Sequence, residues 1–251
     1  MSLRKKVLFP LPASDFDPTE TGVSWEYLQE HDITFATPKG DIPSCDPIML
    51  HGKGLGVLAP LLVADKNGKL SYDKMIKSDE FKNPIAYDQI IPDEYDVLIL
   101  AGGHAKGMRP YLESEILQRV VGHFFDEHKV VGAICHGLVL VARSNSLKTG
   151  EAVLKGRKTT SLLKSSEMLA YHLTKRSMGE YYLTYPGLTV EDEVKASLEK
   201  ESDFLKGPPV LIRDTPNFLL PGYIVEDGNF ISARWPGDAH KFALALKKKL
   251  S

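Results

Sequence analysis

Gly132-Ala133-Ile134-Cys135-His136-Gly137 is the segment of this chain whose residue types are best suited to chemistry. An apolar run ends in a cysteine flanked by small residues. A strand needs that composition if it is to turn sharply into a helix while holding a nucleophile in a strained conformation. Ala133 and Gly137 leave room for the turn. Such an elbow lifts the sulfur above the carboxyl end of its strand, and the N-terminus of the following helix favours the thiolate over the thiol. The plainer alternative is a buried cysteine at an ordinary strand end. His136 can accept the thiol proton or pair with the thiolate. In a regular strand adjacent side chains point to opposite faces, so that pairing requires the unusual backbone of an elbow. The second signal is Gly102-Gly103-His104, where backbone N–H groups in a tight turn can point at a developing oxyanion.

The fold has to bring these two turns together. Residues 95–101 form a continuous apolar run that stops at Gly102-Gly103, as a strand buried on both faces of a parallel sheet does. Leu112, Ile116, Leu117, Val120, Val121, Phe124 and Phe125 then recur along one helical stripe. Residues 130–134 are a further apolar run, so strand, helix and strand follow as a right-handed crossover unit. Both turns therefore leave the carboxyl ends of strands in one sheet, where ligands bind in open α/β folds. A helix over 138–143 follows at once. Upstream, strands are predicted at 6–10 and 33–37 with a helix at 23–30 between them. Downstream, strands are predicted at 158–160, 210–212, 223–225 and 230–233, the last two joined by an Asp227-Gly228 turn. A helix over 239–250 ends the chain's pattern, with Lys247, Lys248 and Lys249 at its negative end. The fold class is α/β, a doubly wound and mostly parallel sheet with helices on both faces. Residues 45–82 and 165–206 are rich in charge and poor in strand pattern, and read as insertions near the site in a single domain over 1–251.

Across 251 residues, 31 Lys and Arg stand against 33 Asp and Glu, a formal net charge of -2. That balance removes the attraction that nonspecific binding to nucleic acid or an anionic membrane requires of the whole surface. The longest apolar run, at 56–64, is far shorter than the roughly 20 residues of a bilayer span, and the opening residues lack a signal-peptide core. A cytoplasmic protein is expected. Two cysteines, Cys45 and Cys135, cannot by themselves make a disulfide framework or a zinc site. Cys45, between Pro43 and Pro47, reads as a loop or core thiol. His31, His51, His123, His128 and His172 have no metal-ligand spacing, and Tyr181-Tyr182 and Tyr185 read as packing.

Ala-Gly-Gly-His at 101–104 and Ala-Ile-Cys-His-Gly at 133–137 resemble the ThiJ/PfpI superfamily of the class I glutamine amidotransferase-like fold. The closest branch is that of heat-shock chaperones and glutathione-independent glyoxalases. The resemblance implies further residues. Phe16-Asp17-Pro18-Thr19-Glu20-Thr21 is similar to the family's loop after the first strand, and Glu20 matches the acid that approaches the nucleophilic sulfur, with Asp15 and Asp17 as near misses. A carboxyl so close to a thiolate keeps its proton and is available for proton transfer. In that branch a more distant acid orients the His after the nucleophile. Glu167 is the match, 32 residues beyond the cysteine, with Glu151 as the substitute. The turn 234–240 differs from the branch's turn before the last helix and offers Asp238 and His240 as pocket residues beside His104, a helix cap being the plainer role for Asp238.

Three functions follow from the resemblance. In the first, a small 2-oxoaldehyde adds to Cys135 as a hemithioacetal, Glu20 and His136 move protons, and the Gly103 and His136 N–H groups hold the oxyanion. Methylglyoxal becomes lactate, and no metal or organic cofactor is required. In the second, Cys135, His136 and Glu167 form a hydrolase triad acting as a peptidase, amidase or esterase. In the third, the chain is a redox-sensing or chaperone-like dimer in which Cys135 oxidises to a sulfinic acid beside Glu20. Glu20 favours the first, because a protonated acid beside sulfur serves carbon-bound proton transfer. The resemblance also implies a homodimer.

Overall fold

Strand β1 (Lys6–Pro10) and strand β2 (Asp32–Thr37) pair in parallel in the computed structural model, which describes residues 4–209 and 212–251. Helix α1 (Pro18–Leu28) lies between them and begins where the local chemistry dictates. Asp17, in extended backbone, accepts hydrogen bonds from the Thr19 and Glu20 N–H groups at 2.8 and 3.0 Å. Pro18 takes the first helical position, where its missing N–H has no consequence. Strands β3 (Ile85–Ala86), β4 (Val97–Leu100), β5 (Val130–Ile134), β6 (Ile224–Asp227) and β7 (Phe230–Ala233) complete the main sheet. Among the described residues it has seven strands in the order β3-β2-β1-β4-β5-β7-β6, all parallel except the β6–β7 hairpin. A separate ribbon pairs Ser14–Phe16 with Ser44–Cys45.

The central strands are apolar because both their faces are covered: every residue of β4 is buried. The helices fall into two packed groups. Helix α1 packs on α2 (Lys66–Met75) and α7 (Ala239–Leu250), while α3 (Glu115–Asp126), α4 (Gly137–Ala142) and α6 (Val190–Ala196) form the second group. The doubly wound α/β architecture read from the sequence is the one observed.

Two local readings change and a third is not tested. The stripe read from Leu112 becomes a continuous helix only at Glu115, because Ser114 caps α3 by accepting from the Leu117 N–H at 3.3 Å; Leu112 closes a separate turn, Arg109–Leu112. Residues 158–160 do not form a sheet strand. Strand β7 is already paired along both edges, so the Thr160 N–H turns to the Ser232 hydroxyl at 3.1 Å and Thr159 makes a single bridge to Phe204. The strand read at 210–212 falls on 210 and 211, which lie outside the described residues.

The two inserted stretches are helical. Residues 45–82 hold α2 and the short helices Pro47–His51, Ala59–Leu62 and Asp79–Lys82, and residues 165–206 hold most of α5 (Lys164–Met178) and all of α6. They touch each other through a small apolar cluster of Met49, Leu55 and Tyr182. Among the described residues no helix is long and apolar enough to cross a membrane.

Candidate active site

Strand β5 ends at Ile134 and α4 begins at Gly137, so Cys135 carries the change of direction. Its φ is +57°, in the left-handed region. For a residue with a Cβ that conformation costs about 1–3 kcal/mol and persists only where neighbours enforce it. The Cys135 N–H donates to the Ala233 carbonyl at 3.1 Å. Gly137 packs so closely on the end of β4 that a Cβ there would lie 2.2 Å from the Leu100 oxygen. The elbow brings Cys135 Sγ within 3.5 Å of His136 Nδ1, a contact that a regular strand forbids.

Helix α1 delivers the carboxyl. The Asp17 N–H donates to the Gly102 carbonyl at 2.8 Å, and the Gly102 N–H donates to Glu20 Oε2 at 2.7 Å, so the helix N-terminus and the end of β4 clasp each other. Only glycine permits this approach, since a Cβ on Gly102 would stand 2.9 Å from Glu20 Oε2 and 3.0 Å from the Cys135 Cβ. Burial, reinforced by the charge of Asp17, pushes the Glu20 carboxyl well above the usual carboxylate range. Oε1 of Glu20 has no hydrogen-bond partner, and the carboxyl faces the Cys135 thiol. Burial also lifts Asp17, to about 6, against the pull of the Glu20 and Thr19 N–H groups.

The thiol itself departs from expectation. Burial, followed by the nearby carboxyls of Glu20 and Asp17, pushes Cys135 well above the ordinary thiol range, while the His136 N–H acts in the opposite direction. Helix α4 has only six residues, and its favourable field is outweighed by desolvation and two carboxyls. The resting sulfur is a thiol. Burial and then the neighbouring His104 bring His136 down to about 3, so its imidazole is neutral. His104 is also held near 3 by burial, its ring stacked on Tyr182 with centroids 4.4 Å apart and lying 6.4 Å from the His136 ring. Nε2 of each histidine is buried without a hydrogen-bond partner. Gly103 adopts φ +153°, and a Cβ there would lie 2.4 Å from the Asp15 carbonyl. Among the described residues the Gly103 N–H donates to no backbone carbonyl, while the His136 N–H is directed at the Cys135 sulfur.

Cys135, Glu20, Gly103, His104 and Glu167 line one cavity of about 180 Å³, whereas His136 is not part of its wall. Glu167 reaches its wall but does not hydrogen-bond to His136: its Oε2 accepts from the Val190 N–H at 3.0 Å. Burial raises Glu167 to about 7. Glu151 lies at the surface beside Lys155. Asp238 and His240 do not line this cavity. Asp238 is buried against Arg234, with Oδ2 2.9 Å from Nε and Oδ1 2.9 Å from Nη2, and it also accepts from the Tyr223 N–H at 2.9 Å. It does not cap α7 through its side chain. Asp214 caps that helix instead, accepting from the His240 and Lys241 N–H groups at 3.2 and 2.7 Å. His240 packs on Tyr27, its Nδ1 3.4 Å from the phenol oxygen. Cys45 is buried in the small ribbon, its thiol pushed up to about 11 by desolvation.

A family model described as ThiJ/PfpI family-like matches residues 11–208. The chain belongs to this family. Among curated relatives, Glyoxalase 3 of Candida albicans is 33% identical over 79 residues, covering 32% of this chain and 33% of that protein. A deglycase of Thermococcus kodakarensis is 26% identical over 166 residues, covering 66% of this chain and 69% of that protein. The crystal structure of glyoxalase III from Candida albicans superposes with a TM-score of 0.67 at 20% identity, covering 96% of this chain and 95% of that one.

This ThiJ/PfpI chain also places residues at the site that its sequence did not single out. Tyr182, read from the sequence as packing, lines the cavity, and the segment carrying it is tied to the Gly102-Gly103-His104 turn because the Thr184 hydroxyl donates to the His104 carbonyl at 2.6 Å. Arg213 and Trp235 line it too, the guanidinium lying 5.1 Å from the indole centroid. Trp235 stands in the 234–240 turn already marked as a pocket element, whereas Arg213 lies in a stretch without periodicity and carries no sequence signal.

Proposed function

We propose that this chain is a cysteine-nucleophile enzyme that converts a 2-oxoaldehyde into the corresponding 2-hydroxy acid without glutathione, methylglyoxal into lactate being the simplest case. The observation that carries this reading is a buried Glu20, its carboxyl pushed well above the usual range, held by the Gly102 N–H at 2.7 Å and facing the thiol of Cys135, which itself lies 3.5 Å from a neutral imidazole. The names of the relatives, a glyoxalase and a deglycase, support an enzyme.

In the proposed sequence, His136 takes the thiol proton as Sγ attacks the aldehyde carbon, then passes it to the aldehyde oxygen to give the hemithioacetal. Neutral again, His136 removes the proton on carbon 1 while Glu20 donates its proton to the carbon 2 oxygen, giving an enediol. The imidazolium then protonates carbon 2, and the carbon 1 hydroxyl returns a proton to Glu20, which leaves a thioester. Water, deprotonated by His136, attacks that thioester. The Gly103 and His136 N–H groups stabilise the oxyanion, and the departing sulfur recovers its proton as the 2-hydroxy acid leaves. The net change is addition of one water to the 2-oxoaldehyde.

A hydrolase triad receives less support, since the hydrogen bond of Glu167 goes to Val190 and Nε2 of His136 has no partner. The test is lactate formation from methylglyoxal with glutathione omitted. Cys135→Ala is expected to lower turnover at least about a thousandfold, and Glu20→Gln at least about a hundredfold. A native chain that forms no lactate, or a fully active Glu20→Gln variant, would overturn the proposal.

A further inference from the structure

The wall of the cavity above Cys135 is mostly apolar. Beside polar residues such as Glu20, His104, Ser166 and Glu167, it carries Met49 and Leu62 from one of the two inserted stretches and Leu169, Ala170 and Leu173 from the other. Leu162 joins them. Leu169 and Leu173 stand one turn apart on one face of α5, yet they remain 59% and 50% exposed. Single exposed leucines are ordinary on a protein surface. These two differ because both line the cavity that leads to the nucleophile, so a bound molecule would cover them.

Size points the same way. The cavity measures about 180 Å³, whereas an apolar cavity of about 150 Å³ already accommodates a benzene ring. A methyl substituent would leave most of this space to water against leucine. Resting on the aldehyde chemistry proposed above, we propose that the preferred substrates are 2-oxoaldehydes whose carbon 2 carries an aromatic or comparably large apolar group, seated against Leu162, Leu169 and Leu173. Carbon 1 then meets Cys135, and the two oxygens face Glu20 and the Gly103 N–H. The rings of Tyr182 and Trp235, also in the wall, suit an aromatic substituent through edge-to-face or offset contacts.

An added methylene in an apolar pocket is worth roughly ten- to two-hundredfold in kcat/KM, so a whole ring against a methyl group is expected to exceed about thirtyfold. The test measures kcat/KM for phenylglyoxal and methylglyoxal by following mandelate and lactate, for the native chain and for Leu169→Gln with Leu173→Gln. Glutamine keeps helix propensity and approximate length at half-exposed positions, and a circular dichroism melt checks the fold. The expected result is a native preference above about thirtyfold for phenylglyoxal that falls at least about tenfold in the double variant. Methylglyoxal turnover with no preference for phenylglyoxal would overturn this inference and leave the aldehyde reading standing. A preference that survives the double variant would overturn the assignment to Leu169 and Leu173. Turnover of neither aldehyde would overturn both proposals.

Discussion

Glu167→Gln is expected to stabilise the folded chain in mildly alkaline solution and to leave it almost unchanged in acid. Burial raises this carboxyl from 4.5 to about 7, so the folded state holds the proton more tightly than the unfolded chain does. Stability contributed by the protonated carboxyl is complete below pH 4.5 and is lost as pH rises towards about 7. With about 1.36 kcal/mol per pKa unit, the ionised carboxyl costs the folded state about 3 kcal/mol. Gln retains an oxygen for the Val190 N–H and never ionises. At about pH 8 the variant should gain up to about 3 kcal/mol, a rise in Tm of about 5–10 °C for a chain of this size, with little gain at about pH 4. Urea and thermal denaturation at both pH values measure it. Turnover of methylglyoxal should change less than about threefold, because Glu167 does not hold His136. Equal stability of the two proteins at the higher pH would refute the reasoning, and so would a hundredfold loss of turnover.

Asp17→Asn removes one of the charges that raise the Cys135 thiol. The rate of Cys135 alkylation by iodoacetamide, followed on the Cys135 peptide by mass spectrometry, should therefore rise at lower pH than in the native chain; a profile moved upward would contradict the proposed electrostatics. Asp238→Ala strands the Arg234 guanidinium, 1% exposed, in the interior. It should cost about 3–5 kcal/mol in urea denaturation, while KM for methylglyoxal stays unchanged at a temperature where the variant is folded. A raised KM with full stability would return Asp238 to the pocket.

The fold was legible wherever a strand is buried on both faces or a helix shows one apolar stripe. Strands β1 and β5 and helix α7 begin and end where the residue pattern places them. Residues 158–160 failed because β pattern states a preference without stating whether an edge is free, and β7 has none left. At the site, the elbow at Cys135 and the Gly102-Gly103 turn were readable because small residues are a steric requirement there. Glu20 needed the family resemblance, since nothing in the composition of an N-terminal helical turn distinguishes a buried acid beside the sulfur from a solvated one. The thiol's elevated pKa was hidden for a related reason: a helix N-terminus is a local feature, whereas desolvation and the nearby Glu20 and Asp17 carboxyls depend on tertiary packing. Asp238 misled because a cap and a buried ion pair place the same residue type before a helix, and Asp214 does the capping from outside that segment.

The Cys135 N–H is pinned to Ala233, on a strand formed far later in the chain. During synthesis the nucleophile leaves the ribosome long before β7 exists to hold it. Chains emerge and fold from the N-terminal end, so the elbow conformation waits on the β6–β7 hairpin being made and docked. A nascent chain that ends before β7 lacks the acceptor for that N–H. The hydrogen bond that pins the elbow thus forms only once synthesis has passed β7.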